Sequence, residues 1–178
     1  ILYRLVGSEM CIRDSSKCAP AMFMGWSNLN FDRRMFHFNF FKGNRYPYAT
    51  HSSPNSEHDG LHIARAAQTL NSETLKTELT EAGNPSLALE SLSRMQGFDT
   101  SASHTAYVDA QNSLKVLRII KEKHKENWQT FLKTSTKSSV ETILKSDGVY
   151  SIFENVKGRN MMYLVSTLHP NQCFHPSY

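Results

Sequence analysis

The sequence predicts an α/β domain that gives way, near residue 140, to a β-rich module. Three observations carry that expectation. A short apolar run closed by polar residues is followed by a stretch with helical start and stop signals. Apolar residues then recur at helical spacing as far as residue 125. Beyond a Ser/Thr/Lys-rich stretch at 134–139, two strand-like runs flank a short Lys-Gly turn.

Taken in order, residues 20–26 (PAMFMGW) read as a buried strand. Residues 32–42 read as a helix, with Asp32 as N-cap and Gly43 as stop. Residues 44–56, rich in Pro, Ser, Asn and aromatics, read as a loop. Leu61, Ala64, Ala67 and Leu70 recur at helical spacing, and Leu75, Leu79 and Ala82 do so again after Ser72 as a cap. Gly83-Asn84-Pro85 breaks the chain, and Ser86 caps a helix containing Leu89 and Leu92 that ends near Gly97. The longest helix spans 105–125, with Ala106, Ala110, Leu114, Leu117 and Ile120 on its inner face. Arg118, Lys121 and Lys125 lie opposite and read as a solvated face. Residues 134–139 read as a linker, and 148–156 and 161–168 as strands joined by Lys157-Gly158-Arg159-Asn160.

Composition bounds the rest. The chain has 178 residues, of which 39% are hydrophobic, so it can bury a core. A net charge of +4 suits a polyanionic partner without identifying one. No apolar stretch approaches a membrane span. Cys18 and Cys173 have no Cys-x-x-Cys spacing, which favours a reduced, cytoplasmic setting. Residues 5–15 (LVGSEMCIRDS) read as the in-frame translation of a transposon-type sequencing adapter, with residues 1–4 from its barcode side. Glu9, Arg13 and Asp14 break the apolar core that a signal peptide needs. The expectation is that residues 1–15 stand outside the fold and that the natural frame is entered in mid-domain.

Three residues are candidates for chemistry. Asp109 falls on the inward side of the long helix, in line with Val116 and Ile120. A carboxylate on an apolar stripe is costly unless it is paired, hydrogen-bonded or bound to a metal. Asp109 therefore either serves a site or is neutralised by a basic side chain or a backbone amide. His104 stands just before that helix, where a histidine can deprotonate a water polarised by a carboxylate-held metal. A plain surface histidine is the alternative reading. Asp32 is either an ordinary N-cap or a ligand. His37, His51, His58 and His62 make no metal-ligand pattern, and Asp59 reads as scaffold. There is neither a Gly-rich phosphate loop nor a Gly-x-Ser-x-Gly elbow.

Gly25-Trp26-Ser27-Asn28-Leu29-Asn30-Phe31-Asp32, then LALESLSRMQGF at 87–98, then His104-x-x-x-x-Asp109 follow one another in an order seen elsewhere. They resemble the second motif, the segment before the histidine, and the third motif of the DEDD-type 3′–5′ exonucleases with the histidine signature. The resemblance is strongest to the bacterial exodeoxyribonuclease I group. Leu168-His169-Pro170-Asn171 resembles a turn in that group's SH3-like domain.

The resemblance implies part of an RNase H-like exonuclease fold over 16–133 and the beginning of an SH3-like domain over 140–178. It implies a metal-dependent 3′–5′ exonuclease that degrades single-stranded DNA to nucleoside 5′-monophosphates in DNA repair or recombination. Asp32 and Asp109 would be metal ligands for two Mg²⁺ or Mn²⁺ ions, and His104 would orient or deprotonate the water. Single-stranded DNA and a single-strand DNA-binding protein would be its partners, with no membrane involved. The group's first motif, Asp-x-Glu, occurs nowhere in the chain, so the chain itself is expected to be inactive. A non-catalytic nucleic-acid-binding module on the same fold is the alternative. A polymerase proofreading exonuclease is another, against which the region after Thr134 argues.

Overall fold

The computed structural model describes residues 18–100, 105–146 and 148–167. In order they form β1 (Met22–Gly25), α1 (Asp32–Lys42), β2 (Ser56–Asp59), α2 (Gly60–Leu70), α3 (Leu89–Met95), α4 (Ala106–Lys123), α5 (Lys125–Lys133), α6 (Lys137–Ser146), β3 (Tyr150–Val156) and β4 (Arg159–Val165). His104 and residues 168–171 lie outside the described residues.

β1 and β2 pair in parallel, with Met22 opposite Ser56 and Gly25 opposite Asp59. A parallel pair needs a crossover, and α1 supplies it. The core sits where α2, α3 and α4 meet. Ile63, Ala64 and Ala67 of α2 pack with Leu92 of α3, with Val116, Leu117 and Ile120 of α4, and with Leu75 and Leu87 from the segment between α2 and α3. α5 adds Trp128, Phe131 and Leu132 to its rim. β3 and β4 form an antiparallel hairpin, turning through Lys157 and Gly158 at φ of 50° and 83°. Both residues are left-handed, which a two-residue turn matched to strand twist requires.

Several expectations need correction. β2 was hidden because its sequence, SEHD, carries no apolar residue, yet Glu57, His58 and Asp59 are all buried. Each has at least one specific polar partner, which is what permits burial. The second helix expected after Ser72 does not form. There Gln68 accepts from the Leu75 amide and donates to the Ser72 carbonyl, and Asn71 accepts from the Glu73 amide. Such side-chain bonds offer the backbone an alternative to a helix. Leu75 is buried, but Leu79 is 69% exposed beside an isolated bridge to Pro85.

Asp32 is the first helical residue of α1, not its cap. Phe31 holds the cap position without a side-chain bond. Ser86 does not cap α3 either, since Ala88 stands there. On α4 the buried residues are Asn112, Ser113, Val116, Leu117 and Ile120, whereas Ala106, Ala110 and Leu114 are exposed. The true stripe is rotated from the expected one, toward the line that carries Asp109. The long helix also breaks at His124, whose Nε2 lies 2.7 Å from the Thr74 hydroxyl. Finally, the stretch read as a linker opens α6, with Thr136 Oγ1 accepting from the Ser139 amide.

Candidate functional site

The segment from Gly25 to Asp32 is folded by its surroundings more than by itself. Asp59, fully buried at the end of β2, is the centre of that arrangement. One carboxylate oxygen accepts from the Ser27 amide at 2.8 Å and from the Leu61 amide at 2.9 Å. The other accepts from the Leu29 amide at 3.3 Å. The same side chain thus caps α2 and fixes the loop after β1. Ser27 is left-handed at φ 58°, and the carboxylate contact to its amide helps hold that turn.

Trp26 closes the loop from its other side by donating Nε1–H to the Leu87 carbonyl at 3.0 Å. The elements approach too closely for side chains at two glycines. A Cβ on Gly60 would lie 3.0 Å from both the Gly25 carbonyl oxygen and the Trp26 ring, and one on Gly25 would lie 2.9 Å from Asn28 Cβ. The Arg33 amide then donates to the Asn28 carbonyl at 2.9 Å, and α1 begins. Asp32 is delivered, exposed, to the first turn of that helix.

Asp32 borders a cleft of about 510 Å³ together with Asn28, Arg33, Phe36, Thr50 and Glu57. Buried Glu57 organises its far side. It pairs with Arg33 Nε at 3.1 Å, accepts from the Thr50 hydroxyl, and lies 3.8 Å from His51 Nδ1. His37 stacks within 5.0 Å of His51. Burial, then the proximity of His51, pushes His37 below its ordinary value, while Glu57 acts weakly the other way. None of this polar group was visible in the spacing of the sequence, because Arg33, Thr50 and Glu57 come from three separate stretches. The cue that did exist was a run of charged residues, Glu57-His58-Asp59, directly before an apolar helix.

Asp109 occupies the first turn of α4, half-buried, with its amide donating to the Thr105 carbonyl at 3.0 Å and its carbonyl accepting from Ser113 Oγ at 2.8 Å. It stands in line with Ser113, Val116 and Ile120, all buried, as its place on the apolar stripe implied. It is not part of the wall of the cleft beside Asp32. Among the described residues, no group of three or more His, Cys, Asp or Glu side chains is placed to hold a metal ion. Nor is any helix among them long and apolar enough to cross a membrane.

A second cleft, about 480 Å³, opens between α2, α5, α6 and β3. His58 reaches its edge from β2, with Nε2 at 2.8 Å from the Phe131 carbonyl and 3.0 Å from Thr134 Oγ1.

Comparison with known proteins places this architecture. No protein-family model matches the sequence. Exodeoxyribonuclease I of Haemophilus influenzae is 27% identical over 122 residues, which are 68% of this chain and 26% of that protein. Exodeoxyribonuclease I of Buchnera aphidicola is 27% identical over 157 residues, 83% of this chain and 32% of that protein. The chain therefore spans about a third or less of the length of these curated relatives. Among solved structures, E. coli exonuclease I in complex with a dT13 oligonucleotide superimposes with a TM-score of 0.74 at 18% identity, over 92% of this chain and 37% of that one. The ExoI/SSB-Ct complex gives 0.71 at 18% identity, over 93% and 38%. The fold matches that of part of exonuclease I, an RNase H-like nuclease fold, and in sequence the chain is close to bacterial exodeoxyribonuclease I over part of that enzyme's length.

Proposed function

We propose that this chain is the part of a 3′–5′ exonuclease of the exodeoxyribonuclease I kind that carries its second and third motifs, acting on single-stranded DNA to release nucleoside 5′-monophosphates. One observation carries the reading. The loop that matches the second motif is locked by Asp59 so as to deliver Asp32 to a helix start, on a fold that superimposes on exonuclease I at a TM-score of 0.74. Asp109 in the first turn of α4 supplies the second carboxylate. His104, two residues before that helix in sequence, is the residue to orient or deprotonate the attacking water.

Divalent Mg²⁺ or Mn²⁺ belongs to this reading, but the described residues do not make a complete metal site. They gather no three-ligand group, and the sequence has no Asp-x-Glu. Asp32 and Asp109 are two ligands of a set that this chain does not complete. The β3–β4 hairpin opens the SH3-like module of the resemblance, and residues 16–133 carry the nuclease part. Single-stranded DNA is the partner of the E. coli exonuclease I structures, and the ExoI/SSB-Ct complex supports a single-strand DNA-binding protein as a second one. The missing ligand set favours one other reading, a nucleic-acid-binding module without catalysis.

The two readings separate in one experiment. The 178-residue chain, given Mg²⁺ or Mn²⁺ and a 5′-labelled single strand, is expected to leave it intact. A polypeptide that also carries an Asp-x-Glu strand ahead of Lys17 is expected to shorten it from the 3′ end. In that polypeptide, Asp109→Ala and His104→Ala each lower the rate by at least about a hundredfold. Metal-dependent shortening by the 178-residue chain itself would overturn the ligand assignment. No shortening by the extended polypeptide would leave the binding module.

A further inference from the structure

We propose that the outer face of α1 is a stacking platform for the bases of single-stranded DNA, with Phe38 and Phe41 as the stacking side chains and Arg34 and Lys42 as phosphate contacts. The inference rests on the exonuclease reading and deepens it, by naming where on this chain the strand would lie.

α1 is unusual in having large apolar side chains on every side, of which Phe40 alone is buried. At 100° per residue, Phe31, Arg34, Met35, Phe38, Phe41 and Lys42 fall on one arc of the helix, facing away from Phe40. All six are exposed, Phe41 at 75% the most exposed of the four apolar ones. Lys42 already lies over the Phe38 ring, with Nζ 4.4 Å from its centroid. The arc contains no acidic residue.

That pattern selects its occupant. An apolar protein surface would force two cations out of water with no anion to meet them. A single strand presents a π-face and a phosphate with every nucleotide, and aromatic rings interleaved with cations answer both without reading sequence. The face also starts beside Asp32, so a strand lying along it would lead toward the candidate carboxylate.

The test needs no catalysis. Binding of a fluorescein-labelled oligothymidylate to the 178-residue chain in EDTA is followed by anisotropy, with circular dichroism to verify folding. Phe38→Ala and Phe41→Ala are each expected to weaken binding about tenfold. Phe38→Leu should weaken it as much as alanine does, and Phe38→Trp should preserve it, because the ring and not its greasiness is what stacks. Arg34→Ala should lower the slope of log affinity against log salt by about 0.7. If the parent binds and the phenylalanine variants bind within twofold of it, the platform is refuted and the exonuclease reading stands. Retention by Phe38→Leu refutes stacking. So does unchanged oligonucleotide affinity accompanied by a shift in sedimentation mass, which marks the face as a contact between copies of the chain. If the parent binds no oligonucleotide, the platform falls, and the exonuclease reading is decided separately by the extended polypeptide.

Discussion

Ile63, Ala67, Val116 and Ile120 lose essentially all of their surface between α2 and α4, whereas on α1 only Phe40 does, and its neighbour Phe41 keeps 75% of its own. Two helical regions of one chain therefore spend apolar residues differently. In the α2–α4 pair the apolar positions form a stripe and hold the domain together. In α1 they surround the helix, so little of that surface contributes to its docking. α1 is tied down by polar contacts instead, through Arg33 to Glu57 and through the loop that Asp59 fixes. Apolar burial makes the scaffold, and buried polar side chains position what stands on it.

The largest expected effect tests the first half of that contrast. Ile120→Ala should destabilise the chain by about 4 kcal/mol, because the cavity it leaves lies among Val116, Leu117 and Leu92 and cannot collapse easily. Phe41→Ala, although it removes more atoms, should stay within about 0.5 kcal/mol. Urea unfolding followed by tryptophan fluorescence measures both. Equal costs would mean that α1 is packed against something in solution and would erase the distinction.

Next in size is Asp59. Its replacement by alanine strands the amides of Ser27, Leu29 and Leu61 in a partly buried setting, at a cost of about 2 kcal/mol. The sharper readout is hydrogen exchange. The Ser27 and Leu29 amides should lose protection first, while core amides of α4 keep theirs relative to the lowered global stability. Uniform loss across the chain would show that Asp59 is only one more structural contact and does not specifically hold the loop.

How much of this was legible follows the same division. The bounds of α1 are legible because polar punctuation, Asp32 in its first turn and Gly43 after its last, brackets it, although the left-handed residue at its end is Asn44 and not the glycine. Asp109 was placed on the apolar stripe correctly because helical period survives a small error in which face is inner. β2 was missed because its burial is satisfied side chain by side chain, with Arg33 and Thr50 serving Glu57 and Phe131 and Thr134 serving His58. Such pairings join residues far apart in sequence, and periodicity has no access to them. The false helix after Ser72 is the converse. Leu75, Leu79 and Ala82 have the spacing, but Gln68 and Asn71 capture the backbone first.

The smallest effect is a pH dependence at the joint between scaffold and rim. His124 ends α4, buried, with Nε2 beside the Thr74 hydroxyl and its ring 6.1 Å from that of Phe131. Burial, and then the positive charge of Lys123, lowers its pKa from the ordinary 6.5. The unfolded chain therefore takes up a proton at this position before the folded chain does. Stability is unaffected well above pH 6.5 and falls as the pH drops from there toward the lower folded value. His37, lowered mainly by burial beside His51, adds to the loss with the same sign. His124→Gln keeps a polar partner for Thr74 but cannot titrate, so its unfolding free energy should change less between pH 7 and pH 5 than that of the parent. The variant His37→Gln should reduce the slope further, and it lies on the α1 side of the molecule, so the two variants report the acid sensitivity of the two regions separately. A parent chain equally stable at both pH values, or a His124→Gln variant with the parent's full slope, would show that protonation of the joint between α4 and α5 does not weaken the scaffold.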